Sequence, residues 1–487
     1  MERGVKMRKT TIILVVVLIL TLGGTCFAAG KIYDSRDEVT LTQMTSWGEK
    51  EVIDNLTLRM NTMYRDRVHW MTTVPMKNPK EAVTEYDFSI TPVYADLDRK
   101  TGLNMDVSID TSMIENNISL GKTEGVVKAY KELADTIGPK EEAEKEIYLK
   151  DYLEHYQYTV QLDIPGTEIV QWKSIYKKGV VQEQETYAVE MLNEFFKIPV
   201  LENEKCGISI GKNEQGKIYH VGSGTGESDF FYMEMYNAIA ENNLYFTFDT
   251  HSRDGVVVDT SLIPGGYGIY QLPFDGSLDG SEENADRISA QIEGLKMVYS
   301  LDPQIDVIHL HLNGKKDKLI LHAVENGKYV ITIMDTATMH TLQKIEVMDW
   351  DKDYYYQIYD EDDFIVNIVH KPLEEGIIEA AVFAKKENGE YEIALISEIQ
   401  NKNIPAFNTS NMYLAFDGKR LAMSGFLEDE KQGYRQTCNV FLAVCDASGM
   451  QYYGEYRNSL ETGYDPDSYY YHCQGYGWEP IVLRWKK

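Results

Sequence analysis

Cysteine and basic residues are scarce in this chain, and each scarcity closes off a class of protein. Five cysteines are spread over 487 residues. No two are spaced as CxxC, which leaves neither a zinc ribbon nor a thioredoxin-type redox pair. Lysine and arginine number 48 against 77 aspartates and glutamates, for a formal net charge of -29. Affinity for a phosphate backbone is supplied by clustered Lys and Arg, so a general nucleic-acid binder is excluded and an anionic membrane surface is disfavoured. The chain is 43% hydrophobic, which gives it enough apolar material for two or three domains with real cores.

What is present begins with a targeting segment. "MERGVKMRKT" supplies Arg3, Lys6, Arg8 and Lys9, and "TIILVVVLILTL" comes next as an unbroken apolar run before "GGTCFAAG". A basic start, an apolar middle and small residues around Cys26, Phe27 and Ala28 read as a secretory signal. Uncut, the stretch from Thr10 to Ala29 has about the ~20 residues that a bilayer span needs. Either way, residues 1–30 form a signal peptide or transmembrane anchor. The positive flank stays inside, which places the remainder of the chain on the extracytoplasmic side, secreted or anchored. Cys206, Cys438, Cys445 and Cys473 then remain, and of their possible pairings only Cys438 with Cys445 is disfavoured. If "CNVFLAVC" is one strand, the two are ~20 Å apart on opposite faces.

From 31 to 200 the pattern is mixed α+β. "LTLRMN", "VHWMTTVP" and "YDFSITPVY" alternate as strands do. "EGVVKAYKELADTIGP" and "ETYAVEMLNEFF" carry apolar stripes at helical spacing. From 201 to 487 the helical period nearly vanishes, and short strands alternate with polar turns. "KLILHAVENGKYVITIMDTATMHTLQKIEV" contains three strands separated by an Asn-Gly turn and an Asp-led turn. "IIEAAVFAKKENGEYEIALISEI" and "CNVFLAVCDASGMQYYGEY" repeat its two halves. This rhythm resembles the inner hairpins of β-propeller blades. The predicted fold class is mainly β, with a β-propeller-like C-terminal domain preceded by a small α+β region.

One stretch, "KCGISIGKNEQGKIYHVGSGTGES" at 205–228, matches three catalytic or nucleotide motifs at once. Gly207, Ser209 and Gly211 fit a nucleophile elbow, but that device needs a helix directly after the serine. Gly211, Gly216 and Lys217 fit a phosphate loop, but Ile218 stands where the magnesium-binding Ser or Thr belongs. Both read as a strand entering a hairpin turn. Gly222, Gly224 and Gly226 resemble a dinucleotide fingerprint that would need a βαβ unit around it. The acids Asp349, Asp351 and Asp353 have the alternate spacing of a calcium loop, without its Gly at the sixth place or Glu at the twelfth.

The sharpest constellation is "DVIHLHLNGKKDKLILHAV". Folded as a hairpin, it puts Leu310, Leu312, Leu319 and Leu321 on one face and His309, His311 and His322 on the other. Three converging imidazoles are a candidate zinc site with room for a water. Thirty-four tyrosines, clustered in "YYYQIY", "QYYGEY" and "SYYYHCQGYGW", suit either recognition of a sugar or protein loop, or packing across strands. The chain resembles the extracytoplasmic propeller-like proteins of Gram-positive bacteria, a resemblance of rhythm over roughly 201–487. The function expected from these readings is a non-enzymatic cell-envelope module binding a protein or a glycan. The alternative is an extracellular zinc-dependent hydrolase using His309, His311 and His322.

Overall fold

A computed structural model describes residues 2–34, 40–64, 68–88, 102–109, 111, 113–163, 180–224, 231–240, 242–251, 255–275, 289–350, 355–360, 364–370, 377–400, 412–429, 435–459, 471–472 and 481–486. The fold is mainly β. The helix Glu2–Asp34 holds an exposed apolar segment, Thr11–Lys31, long and apolar enough to cross a bilayer. The chain divides into two compact units, 1–98 with 353–487 and 99–352. The boundary expected at residue 200 falls inside the second of these.

The first unit contains three antiparallel sheets with the up-and-down order of propeller blades. Tyr355–Asp360, Phe364–His370, Ile377–Lys385 and Tyr391–Gln400 pair in chain order. Tyr413–Phe416, Leu421–Asp429, Arg435–Asp446 and Gly449–Asn458 do the same, and Leu41–Gly48 adds to the outer side of the last strand. The third sheet is Leu56–Tyr64, Val68–Pro75 and Val83–Phe88, with Tyr471–His472 and Ile481–Trp485 on its free edge. Each end of the chain therefore completes a sheet begun by the other. Sequence periodicity placed strands at 56–61 and 68–75 but could not show which distant strands they join.

"CNVFLAVC" reads as a continuous apolar run because both of its faces are covered. Val440, Leu442 and Val444 share a core with Leu56, Leu58 and Ile481, while Phe441, Ala443 and Cys445 share another with Val366, Ile368 and Ala380. A strand buried on two sides shows no alternation. Tyr452, Tyr453 and Tyr456 of the "QYYGEY" cluster lie in these same two cores, and the hydroxyls of Tyr452 and Tyr456 are 2.7 Å apart. That cluster is packing, as the second of the two tyrosine readings has it.

In the second unit, Asp306–Leu312, Lys318–Glu325, Lys328–Asp335 and Thr341–Asp349 form a four-stranded meander. Its central turn has Asn326 and Gly327 at φ 53° and 72°, the left-handed pair a two-residue hairpin needs. A second sheet joins Met235–Ala240, Asn243–Phe248, Gly268–Asp275, Ser289–Ala290 and Lys296–Ser300. The α+β elements are also here: Gly102–Val107 pairs with Tyr158–Asp163, and Glu142–Tyr148, Lys205–Lys212 and Ile218–Gly224 form a third sheet beside the helices Ile114–Ser119, Gly125–Ala134 and Val180–Phe195. Phe196, Phe246, Phe248 and Tyr270 meet ring to ring within one core.

Candidate functional site

The histidine hairpin folds in the register its alternation predicts. His309 stands opposite His322, Leu310 opposite Leu321 and Leu312 opposite Leu319. The four leucines face the core or its margin. Asn313 closes the turn, its Oδ1 accepting from the backbone N–H of Asp317 and Lys318 at 3.1 and 2.9 Å. On the other face His311 Nε2 lies 2.9 Å from His322 Nε2, and His322 Nδ1 lies 2.5 Å from the hydroxyl of Tyr329. The His309 ring centroid is 5.4 Å from that of His311.

Tyr329 was not among the sequence candidates, because it comes from the next strand. It occupies the row of Val324 and Asp306, two residues along from the row of His322 and therefore on the same face. His322 is fully buried, and burial first, with His311 and His309 second, holds its pKa well below the ordinary 6.5. The ring is neutral, with one proton to share between two engaged nitrogens. An open zinc centre needs converging free nitrogens and a vacant position. His322 offers neither, so the hydrolase reading gains no support from this geometry. The His/Asp/Glu/Cys set whose ligand atoms do converge among the described residues is Asp249, His251 and Asp306.

A second candidate surface lies in the same unit. In the sheet of Glu142–Tyr148, Lys205–Lys212 and Ile218–Gly224, one face is apolar: Cys206, Ile208 and Ile210 belong to the core, with Ala143, Ile147 and Val221 on or against it. Helix Gly125–Ala134 contacts this sheet, and Lys212 Nζ caps the carbonyls of Ala134 and Ile137 at 2.7 and 3.0 Å, where a cation suits the helix end.

The other face has glycines along its middle, two of them overlain by neighbouring side chains. Gly207, Ser209 and Gly211 lie opposite Gly224, Gly222 and His220 on one side and Glu146, Glu144 and Glu142 on the other. A methyl group on Gly222 would sit 2.5 Å from Ser209 Oγ and 3.3 Å from His220 Nε2, so this glycine lets the two meet, at 3.1 Å. A methyl on Gly211 would sit 3.0 Å from the Tyr219 ring, which crosses it to bond Glu142 through its hydroxyl. At the opposite end Tyr148 lies under Lys205 Nζ, 5.3 Å from its ring centre, and Lys205 pairs with Glu146 at 2.6 Å. Tyr148 and Tyr219 are 48% and 59% exposed. Six residues of strand separate their rows, ~20 Å.

Ser209 is thus a mid-strand residue, and Asn213 makes the turn after it by accepting from the N–H groups of Gln215 and Lys217 at 3.0 Å each. That is the hairpin reading of both the nucleophile-elbow and the phosphate-loop match. Gly222 and Gly224 lie within the strand Ile218–Gly224 and Met235–Ala240 is also a strand, not the helix that a dinucleotide site would need after its glycines, while Gly226 lies outside the described residues. Asp349 ends a strand and pairs with Lys328, while Asp351 and Asp353 lie outside the described residues. Cys206 and Cys445 are buried free thiols that burial pushes up to about 11 and about 12. Residues 468–470 and 473–478 of the last tyrosine cluster fall outside the described residues.

No protein-family model matches the chain, and no curated protein sequence matches it. Solved structures with some likeness include a periplasmic gluconolactonase of Pseudomonas aeruginosa, 8% identical, covering 83% of this chain and 98% of that one at a TM-score of 0.27. A protein from Lactobacillus plantarum is 9% identical, with 81% and 94% covered and a TM-score of 0.27. The Swd1 β-propeller domain of Myceliophteria thermophila is 9% identical, with 51% and 90% covered and a TM-score of 0.20. TM-scores this low carry no argument about activity, and the blade character rests on the chain's own strand orders and registers.

Proposed function

We propose that this protein is a non-enzymatic glycan-binding module of the cell envelope, held on the extracytoplasmic side as a secreted chain or through its N-terminal apolar helix. The observation that carries the reading is the glycine-floored face of Lys205–Lys212 with Tyr148 and Tyr219 exposed at its two ends. An extended polymer can lie along a face floored by glycines and small polar side chains, and partly exposed tyrosines give contact area at little entropic cost. Ser209, His220, Glu142 and Glu144 border that floor and supply hydrogen-bonding groups. Glu144 is exposed, and the face carries three glutamates against Lys205. With a chain charge of -29, that balance disfavours a polyanion and favours an uncharged polysaccharide.

Pull-down of the purified full chain on insoluble cellulose, chitin and starch tests the proposal. Retention on at least one polymer, lost in Tyr219→Ala and weakened in Tyr148→Ala while both variants keep the wild-type melting temperature, is the expected result. Equal retention of both variants, or no retention of the wild type on any neutral polymer, would overturn it.

A further inference from the structure

We propose that Asp249, His251 and Asp306 form a site for a divalent transition-metal ion, of the class of zinc or manganese. His251 Nδ1 lies 2.5 Å from Asp306 Oδ1 and 3.1 Å from Asp249 Oδ1, and one ligand atom from each residue falls within 4.8 Å of the other two. Both carboxylates converge on this one nitrogen, and Asp249 Oδ1 also accepts from the His251 backbone N–H at 3.1 Å. A cation held at ~2.0–2.2 Å from each ligand would satisfy all three together, once His251 and Asp306 move apart by roughly half an ångström to one ångström. Two carboxylates and one imidazole suit a borderline ion better than calcium, which takes oxygen ligands.

The placement does not depend on the three side chains themselves. Asp249 comes directly after Asn243–Phe248, and Asp306 opens Asp306–Leu312. The buried Thr250 donates its hydroxyl to Pro303 O at 2.9 Å, which ties the two loops together. Val258 N–H reaches Thr250 O at 2.9 Å, Tyr267 donates its hydroxyl to Phe248 O at 2.8 Å, and the N–H of Leu301 reaches Tyr267 O at 2.9 Å. The donors are therefore held from behind by backbone contacts, as a preorganised site requires. The side chains are 27%, 19% and 48% exposed for Asp249, His251 and Asp306, so an ion could enter and keep waters at its remaining positions. Asp306 also begins the strand that carries His309 and His311, on the same sheet face as both. The two clusters are consequently separable only by mutation.

The test is titration of the full, tag-free chain with zinc, manganese and calcium separately after chelator treatment, with bound metal measured by elemental mass spectrometry. The expected result is one equivalent of zinc or manganese, with affinity falling about tenfold or more in Asp249→Asn and His251→Ala and unchanged in His309→Ala. Asp306→Asn, which keeps the shape of the side chain, should show the same loss and guards against a folding defect in His251→Ala. No metal bound by the wild type, binding unchanged in both asparagine variants, or a loss confined to His309→Ala would each overturn the proposal.

Discussion

Single residues set both the site and its tolerances. Gly102 has φ +114°, and a methyl group there would lie 2.5 Å from the Asn237 side chain, whose amide bonds Leu103 N and O at 3.0 Å each. Gly102→Ala should therefore destabilise the protein by about 1–3 kcal/mol, because it adds overpacking to backbone strain. Chemical denaturation checks this, and an unchanged midpoint would show that the Asn237 contact yields freely. Such a glycine is invisible in the sequence, since the Asn237 side chain that crowds it also bonds Leu103, 134 residues away. The same blindness applies to Tyr219 and Gly211. Sequence reading found the "GISIG" stretch by its resemblance to a catalytic motif, but its glycines serve a flat sheet face that only the pairing register reveals.

At the scale of elements, hairpins were the most legible feature. The turns at Asn326-Gly327 and Asn388-Gly389, and the pairing of His309 with His322, arise from alternation and turn chemistry between neighbours in sequence. The burial of His322 was not legible, since it depends on what covers the face. It has a consequence for pH. A histidine held neutral in the fold takes up a proton on unfolding, so its contribution is fully present above pH 6.5, the ordinary value, and is lost as the pH falls below that value. Wild-type stability should fall between pH 7 and 5 by up to about 1.4 kcal/mol per unit more steeply than that of His322→Gln. His309, His311 and Tyr329 surround the ring. Thermal unfolding across that range decides the matter: parallel pH profiles would contradict a neutral buried imidazole.

For the whole molecule, the pairing of chain ends is the least local fact and the one sequence could not supply. Leu41–Gly48 joins Gly449–Asn458, and Ile481–Trp485 joins Leu56–Tyr64. Trp485 also donates to Ala415 O at 3.3 Å and lies under Arg420, 4.4 Å away. Deleting residues 481–487 would leave the edge of Leu56–Tyr64 open, and open edges invite pairing with other chains. The truncated protein should melt at a lower temperature and scatter light on concentration. A monomeric truncation with the wild-type melting temperature would show that the last strand is dispensable. The central claim concerns one face of the second unit, and hydroxyl-radical footprinting of Tyr148 and Tyr219 with saturating cello- or chito-oligosaccharide tests it most directly. Protection of both rings, with buried Tyr452 and Tyr456 unchanged, is the predicted result; a saturated protein in which both rings stay as reactive as in the free chain would contradict it.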